Sequence, residues 1–163
     1  MSLLNEPDDA VLLELGRLTW AAINLEDVVP TIRRALGPAP KRLAREPVSV
    51  WIKDALKVLS GWPESEVRRT ASRWFNVARE ALEDRNRVLH SVPVTLITIA
   101  DGTVTEHGQA LDHLPRREGE SFSRISLAED KLRRVRQKLA AARDGWTEIC
   151  VALLEKSKRN DSV

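Results

Sequence analysis

The chain has 163 residues, 42% of them hydrophobic and 31% charged, with a formal net charge of +2. That length fits one domain with a core of its own, and that balance excludes global disorder. A charge so near neutral does not announce a polyanion binder, and no apolar stretch reaches the roughly 18 to 20 residues that a membrane span needs. Abundant Ala, Leu, Arg and Glu, few glycines and no tyrosine tilt the chain toward helix. The opening MSLLNEPDDAVLL carries acids where a secretory leader carries a basic region. The single cysteine, Cys150, excludes an internal disulfide and fits a reducing compartment, so a cytoplasmic protein is expected. Within the apolar run 149–154 it reads as a small buried hydrophobe.

In chain order, Asp8 or Asp9 caps a first helix to about Leu36, with Leu12, Leu15, Thr19, Ala22 and Val29 recurring at three- and four-residue steps. Gly37-Pro38-Ala39-Pro40 stops it. A second helix runs from Pro47 to Gly61 and buries Val50, Trp51, Ala55 and Leu59. Pro63 opens a third, which ends near His90 because Pro93 biases Val92 toward extended geometry. The β-branched residues around Asp101-Gly102 predict a hairpin over about 94–108, with 122–125 as a further short strand. Ser126 and Glu129 form a capping box for a final helix to about Lys158, along which Leu132, Val135, Leu139, Ala142, Trp146, Ile149 and Leu153 make one stripe. The expected fold is mainly α: one domain, an antiparallel bundle of about four helices with a small β-hairpin inserted before the last. Residues 158–163 are expected to be a disordered tail.

On a helical wheel of the third helix, Val67, Ala71, Trp74, Ala78, Ala81, Val88 and Leu89 share one apolar stripe. Arg85 falls at the centre of that stripe, where an aliphatic residue is expected. A guanidinium stays charged, so Arg85 calls for an acid, a polar cleft or a subunit interface. Glu26, at the edge of the first helix's apolar face, is a candidate partner. Asn86 and His90 are four residues apart and stack on adjacent turns, with Arg79 and Glu83 on the same flank. The helix dipole at this end favours a charged His90.

These are residues that RNA cleavage without a metal uses. His90 can take a proton from a ribose 2′-hydroxyl or return one to the leaving 5′-oxygen. Arg85 can clamp the phosphate and offset transition-state charge, and Asn86 can orient the imidazole. The site needs an acid and a base while each chain offers one such histidine, so two chains with their third helices together are expected. A capped helix end with a buried Arg85 salt bridge is the structural alternative.

The segment EDRNRVLHSVP also resembles the HEPN superfamily, whose R-N-x-x-x-H pattern falls here on Arg85, Asn86 and His90. The long first helix containing LGRLTWAAINLEDVV and the hairpin after the motif histidine are similar to HEPN-type proteins. The resemblance implies a helical bundle that dimerises through its motif-bearing helices. It also implies metal-independent endoribonuclease activity in toxin–antitoxin or other defence systems, with RNA as substrate and an antitoxin or regulatory protein as partner. A non-catalytic HEPN-like module for RNA binding or dimerisation is the alternative.

Elsewhere, KLRRVRQK is read as the one basic cluster, and Lys131, Arg134 and Lys138 share a flank suited to an RNA backbone or to plain solvation. His107 and His113 lack further ligands at metal-binding spacing, so no metal and no cofactor are expected. The five tryptophans sit mostly at core spacings.

Overall fold

A computed structural model describes the backbone of residues 9–90, 92–100, 103–113, 123–126 and 129–160, and the side chains of 9–90, 130–153 and 155. The described residues are mainly helical and form a bundle with four helical legs, the last one broken. Helix α1 spans Asp9–Ala35, α2 Val48–Ser60 and α3 Glu66–Leu89, while α4 (Glu129–Asp144) and α5 (Trp146–Asn160) make up the last leg. Among the described residues no helix is long and apolar enough to cross a membrane.

Helix α1 ends where Gly37, at φ 135°, takes a conformation that an L side chain resists. A 3₁₀ turn at Lys41–Arg45 then leads into α2. The start of α3 corrects the sequence reading: Pro63 lies outside the helix, and Ser65 is the N-cap, its hydroxyl accepting from the Arg68 N–H at 3.2 Å. A serine hydroxyl satisfies an end donor, which a proline cannot do.

The final helix is not continuous as expected. It breaks at Gly145, against the Trp74 indole, whose Nε1–H donates to the Ala142 carbonyl at 2.7 Å. A side chain drawing off a ladder carbonyl beside a glycine is a recognised cause of a helix break. Helix α5 continues to Asn160, so residues 158–160 are helical; 161–163 lie outside the described residues.

The core is lined by Leu18, Ala22, Leu25, Val29 and Ile32 of α1, by Ala71, Trp74, Phe75, Ala78 and Ala81 of α3, and by Leu132, Leu139 and Ile149 of the last leg. Leu12 and Leu89, placed in the core by their spacing, are exposed instead. Glu14 occupies the core-facing position of the first turns of α1, only 2% exposed, where it accepts from Arg17 at 2.8 Å and from Arg136 of α4 at 2.9 Å. Arg136 thereby ties α4 to α1, while Arg17 holds the Glu14 carboxylate from within α1.

Between α3 and α4 lie β1 (Val92–Ala100), β2 (Thr103–His113) and β3 (Ser123–Ser126), antiparallel in the order β1-β2-β3. The β1–β2 register shifts after Leu96, which faces Gly108 while Ile97 faces Glu106; His107 is thus the extra residue of a bulge. The turn expected at Asp101-Gly102 lies outside the described residues, and Ser126 ends β3, so its capping box with Glu129 cannot be assigned to described side chains.

Candidate functional site

Helix α3 brings Arg85, Asn86 and His90 to its C-terminal end on two different faces. Arg85 points inward between α3 and α1, with its side chain 16% exposed, and Nη2 donates to Glu26 Oε1. Burial lowers the Arg85 pKa from its ordinary value, yet the paired guanidinium remains cationic. Glu26 is thus the acid that Arg85 meets, and it stays 34% exposed at the rim. Arg85 Nε is buried and has no hydrogen-bond partner among the described residues. A buried donor without a partner calls for one, in water or in a ligand.

Pro30, inside α1, adds to the polarity of this place. It has no N–H to offer the carbonyl of Glu26 four residues earlier, so the helical ladder lacks that bond beside the ion pair. Sequence reading passed over Pro30 because the apolar stripe of α1 continues through it.

Asn86 and His90 lie on the solvent side, one helical turn apart, and both are exposed. His90 is the C-cap of α3: its backbone N–H donates to the Asn86 carbonyl at 3.0 Å. No hydrogen bond of the Asn86 amide or the His90 ring is formed among the described residues, which leaves both available to a ligand. Arg79 is on the same flank, 4.0 Å from Glu83. The three motif residues therefore share one helix end, with Arg85 turned toward α1 and the other two facing outward.

The basic flank of α4 is less free than its sequence suggests. Lys131, Arg134 and Lys138 are all exposed, but Lys138 Nζ is held 2.6 Å from Asp84 Oδ2 of α3. A second basic segment was missed. Residues 33–57 hold seven cations (Arg33, Arg34, Lys41, Arg42, Arg45, Lys53 and Lys57) against Glu46 and Asp54. Arg33 is buried against Asp54 and Arg34 lies 4.9 Å over the Trp51 ring, while the other five are exposed. The signal was present in the sequence but is spread over a turn and a helix rather than concentrated in one run.

His107 and His113 lie on β2, whose side chains are outside the described ones. Cys150 is half-buried, and burial raises its thiol pKa. No family model matches the chain, and no curated protein and no solved structure matches it.

Proposed function

We propose that the chain is a metal-independent endoribonuclease of the HEPN type, acting at a composite site between two copies. The observation that carries this reading is the pairing of an exposed Asn86 amide and an exposed His90 imidazole one turn apart, directly after a half-buried Arg85. In one protomer His90 takes the proton of a ribose 2′-hydroxyl. The 2′-oxygen attacks the adjacent phosphorus, and the bond to the 5′-oxygen breaks. His90 of the second protomer returns a proton to that oxygen, leaving a 2′,3′-cyclic phosphate and a 5′-hydroxyl. Glu26 fixes the Arg85 guanidinium, whose remaining donors offset charge on the phosphorane. Asn86 orients the imidazole or holds a phosphate oxygen.

In this reading Arg79, Lys131 and Arg134 contribute RNA-backbone contacts, and Lys138 does so only by leaving Asp84. The protein is then a toxin or defence effector of the cytoplasm, restrained by an antitoxin or another regulatory protein. A second reading is favoured by the Arg85–Glu26 ion pair itself: if Arg85 serves only to join α3 to α1, the chain is a non-catalytic module for RNA binding or dimerisation. Incubation with structured RNA in EDTA, beside His90→Ala and Arg85→Ala proteins whose folding is checked by melting, separates the two. Cleavage by the parent and by neither variant supports the nuclease. RNA binding without cleavage supports the module.

A further inference from the structure

Helix α1 has two apolar faces. One is the core stripe from Leu18 to Ile32, and the other lies opposite to it and is uncovered. Leu12, Leu13, Trp20 and Ile23 on this outer face are between 43% and 66% exposed, with Trp20 the barest. Leu13, Gly16, Trp20 and Ile23 recur at steps of three, four and three, so they form one stripe along the helix. Solvent-facing positions of a long helix ordinarily carry charged or polar residues, as the second half of this same face does at Asp27, Thr31 and Arg34. The side chains named leave roughly 400 Å² of apolar surface in one patch, within the range of about 300 to 600 Å² for the largest patch on a typical monomer, which is often functional.

Gly16 is the second observation. It stands in the interior of a 27-residue helix, where glycine is a poor helix former, and a Cβ added there meets nothing within 4 Å. Its own chain has no steric need of a glycine. Beside it, a groove of about 850 Å³ opens between α1 and α4, with Ala21 and Ala140 as small residues on its lining and Arg136 and Arg143 on the α4 side. A missing side chain next to a groove receives a bulky group from outside.

We propose that this face joins two copies of the chain, α1 against α1 in antiparallel fashion, with Trp20 of each copy seated over Gly16 of the other. The stripe is self-complementary in that arrangement. A twofold axis passing between Gly16 and Trp20 sets each indole against the opposite glycine and Leu13 against Ile23. Knob and hole then both come from one sequence, as an isologous interface requires. The rim suits a like copy as well. Arg17 and Arg136 share the single carboxylate of Glu14, and Arg143 Nη1 is 3.0 Å from Asp144, so three cations face two acids and one positive charge per copy is left over, too little to build a strong field against a second copy. Two such patches with their polar rims bury roughly 1,200 Å² in total, the lower end of what a specific pair needs. Tryptophan is the residue type that most often dominates such contacts. None of Arg85, Asn86 and His90 belongs to this surface, so it is a second interface, separate from the one at which the ribonuclease reading brings two His90 residues together. A chain that uses both assembles beyond a dimer.

Sedimentation equilibrium on the full chain tests it, with Trp20→Ala, Gly16→Leu and the double variant beside the parent. The parent is expected to dimerise at micromolar concentration, and each single variant to weaken the dimer by at least about tenfold. Gly16→Leu is expected to melt no lower than the parent when both are diluted to monomer, since leucine is the better helix former and finds open space. The double variant, in which a leucine meets the space left by the indole, is expected to recover dimerisation relative to Gly16→Leu. A monomeric parent overturns the proposal, as do single variants that associate as tightly as the parent. A double variant no better than Gly16→Leu overturns the antiparallel register.

Discussion

Arg33 and Arg85 each reach from one helix to an acid on another, and they are bound very differently. Arg33 of α1 is 3% exposed. Its Nε donates to Asp54 Oδ2 of α2 at 2.6 Å, and its Nη1 donates to the Gly37 carbonyl at 3.1 Å, tying down the end of its own helix. Arg85 of α3 meets Glu26 at a rim where both side chains are more exposed, and its Nε has no partner among the described residues. The first closes a joint, satisfying a carboxylate and an end-of-helix carbonyl at once. The second joins two helices and still holds a donor in reserve, directly before two exposed polar side chains of the same helix. A buried charge that is fully committed serves the fold, whereas an incompletely committed one beside a rim is available to a ligand.

That contrast is sharpest in stability. Arg33→Ala strands Asp54 and the Gly37 carbonyl and is expected to cost about 3 to 4 kcal/mol in urea unfolding. Equal losses at Arg33 and Arg85 would break the comparison. Glu14 is an intermediate case: hydrogen bonds from Arg17 and Arg136 hold its carboxyl below the ordinary range against the opposing effect of burial. Because the folded-state value is lowered, the stability it contributes is present above the unfolded carboxyl pKa and is lost as pH falls through the folded value. Glu14→Gln is therefore expected to cost about 2 kcal/mol at pH 7, and its stability should converge on the parent's as pH falls below the ordinary carboxyl range and through the lowered folded value. A difference that stays constant with pH would remove the charge from the explanation.

Arg85→Ala is expected to cost less, about 1 to 2 kcal/mol, because Glu26 sits at the rim and regains water once unpaired. Asn86→Ala should change stability by less than about 0.5 kcal/mol, as for an exposed side chain with no contact to lose. In the nuclease reading both variants nonetheless lose RNA cleavage, so activity and stability rank the arginines in opposite order.

The helices were legible because their periodicity and their breakers agree: Gly37 with Pro38 and Pro40, and Gly61 after Leu59, sit where helices end. The Arg85–Glu26 pair was legible for the opposite reason, since a guanidinium in the middle of an apolar stripe must find an acid. What escaped was set by tertiary contacts. Nothing local says that the Trp74 indole would claim the Ala142 carbonyl and break the last helix at Gly145. Leu12 was assigned to the core because α1 carries apolar residues on two faces, and the spacing cannot say which face is inside. Glu14, a carboxylate among core positions, could only be understood once Arg136 arrived from more than a hundred residues away.

The most direct test of the account is a comparison of parent and His90→Ala proteins on structured RNA in EDTA, with the product ends identified. The account predicts that the parent cuts and leaves 2′,3′-cyclic phosphates, and that His90→Ala melts at the parent's temperature and cuts nothing. A parent that leaves RNA intact, or a folded His90→Ala protein that cuts as well as the parent, would contradict it.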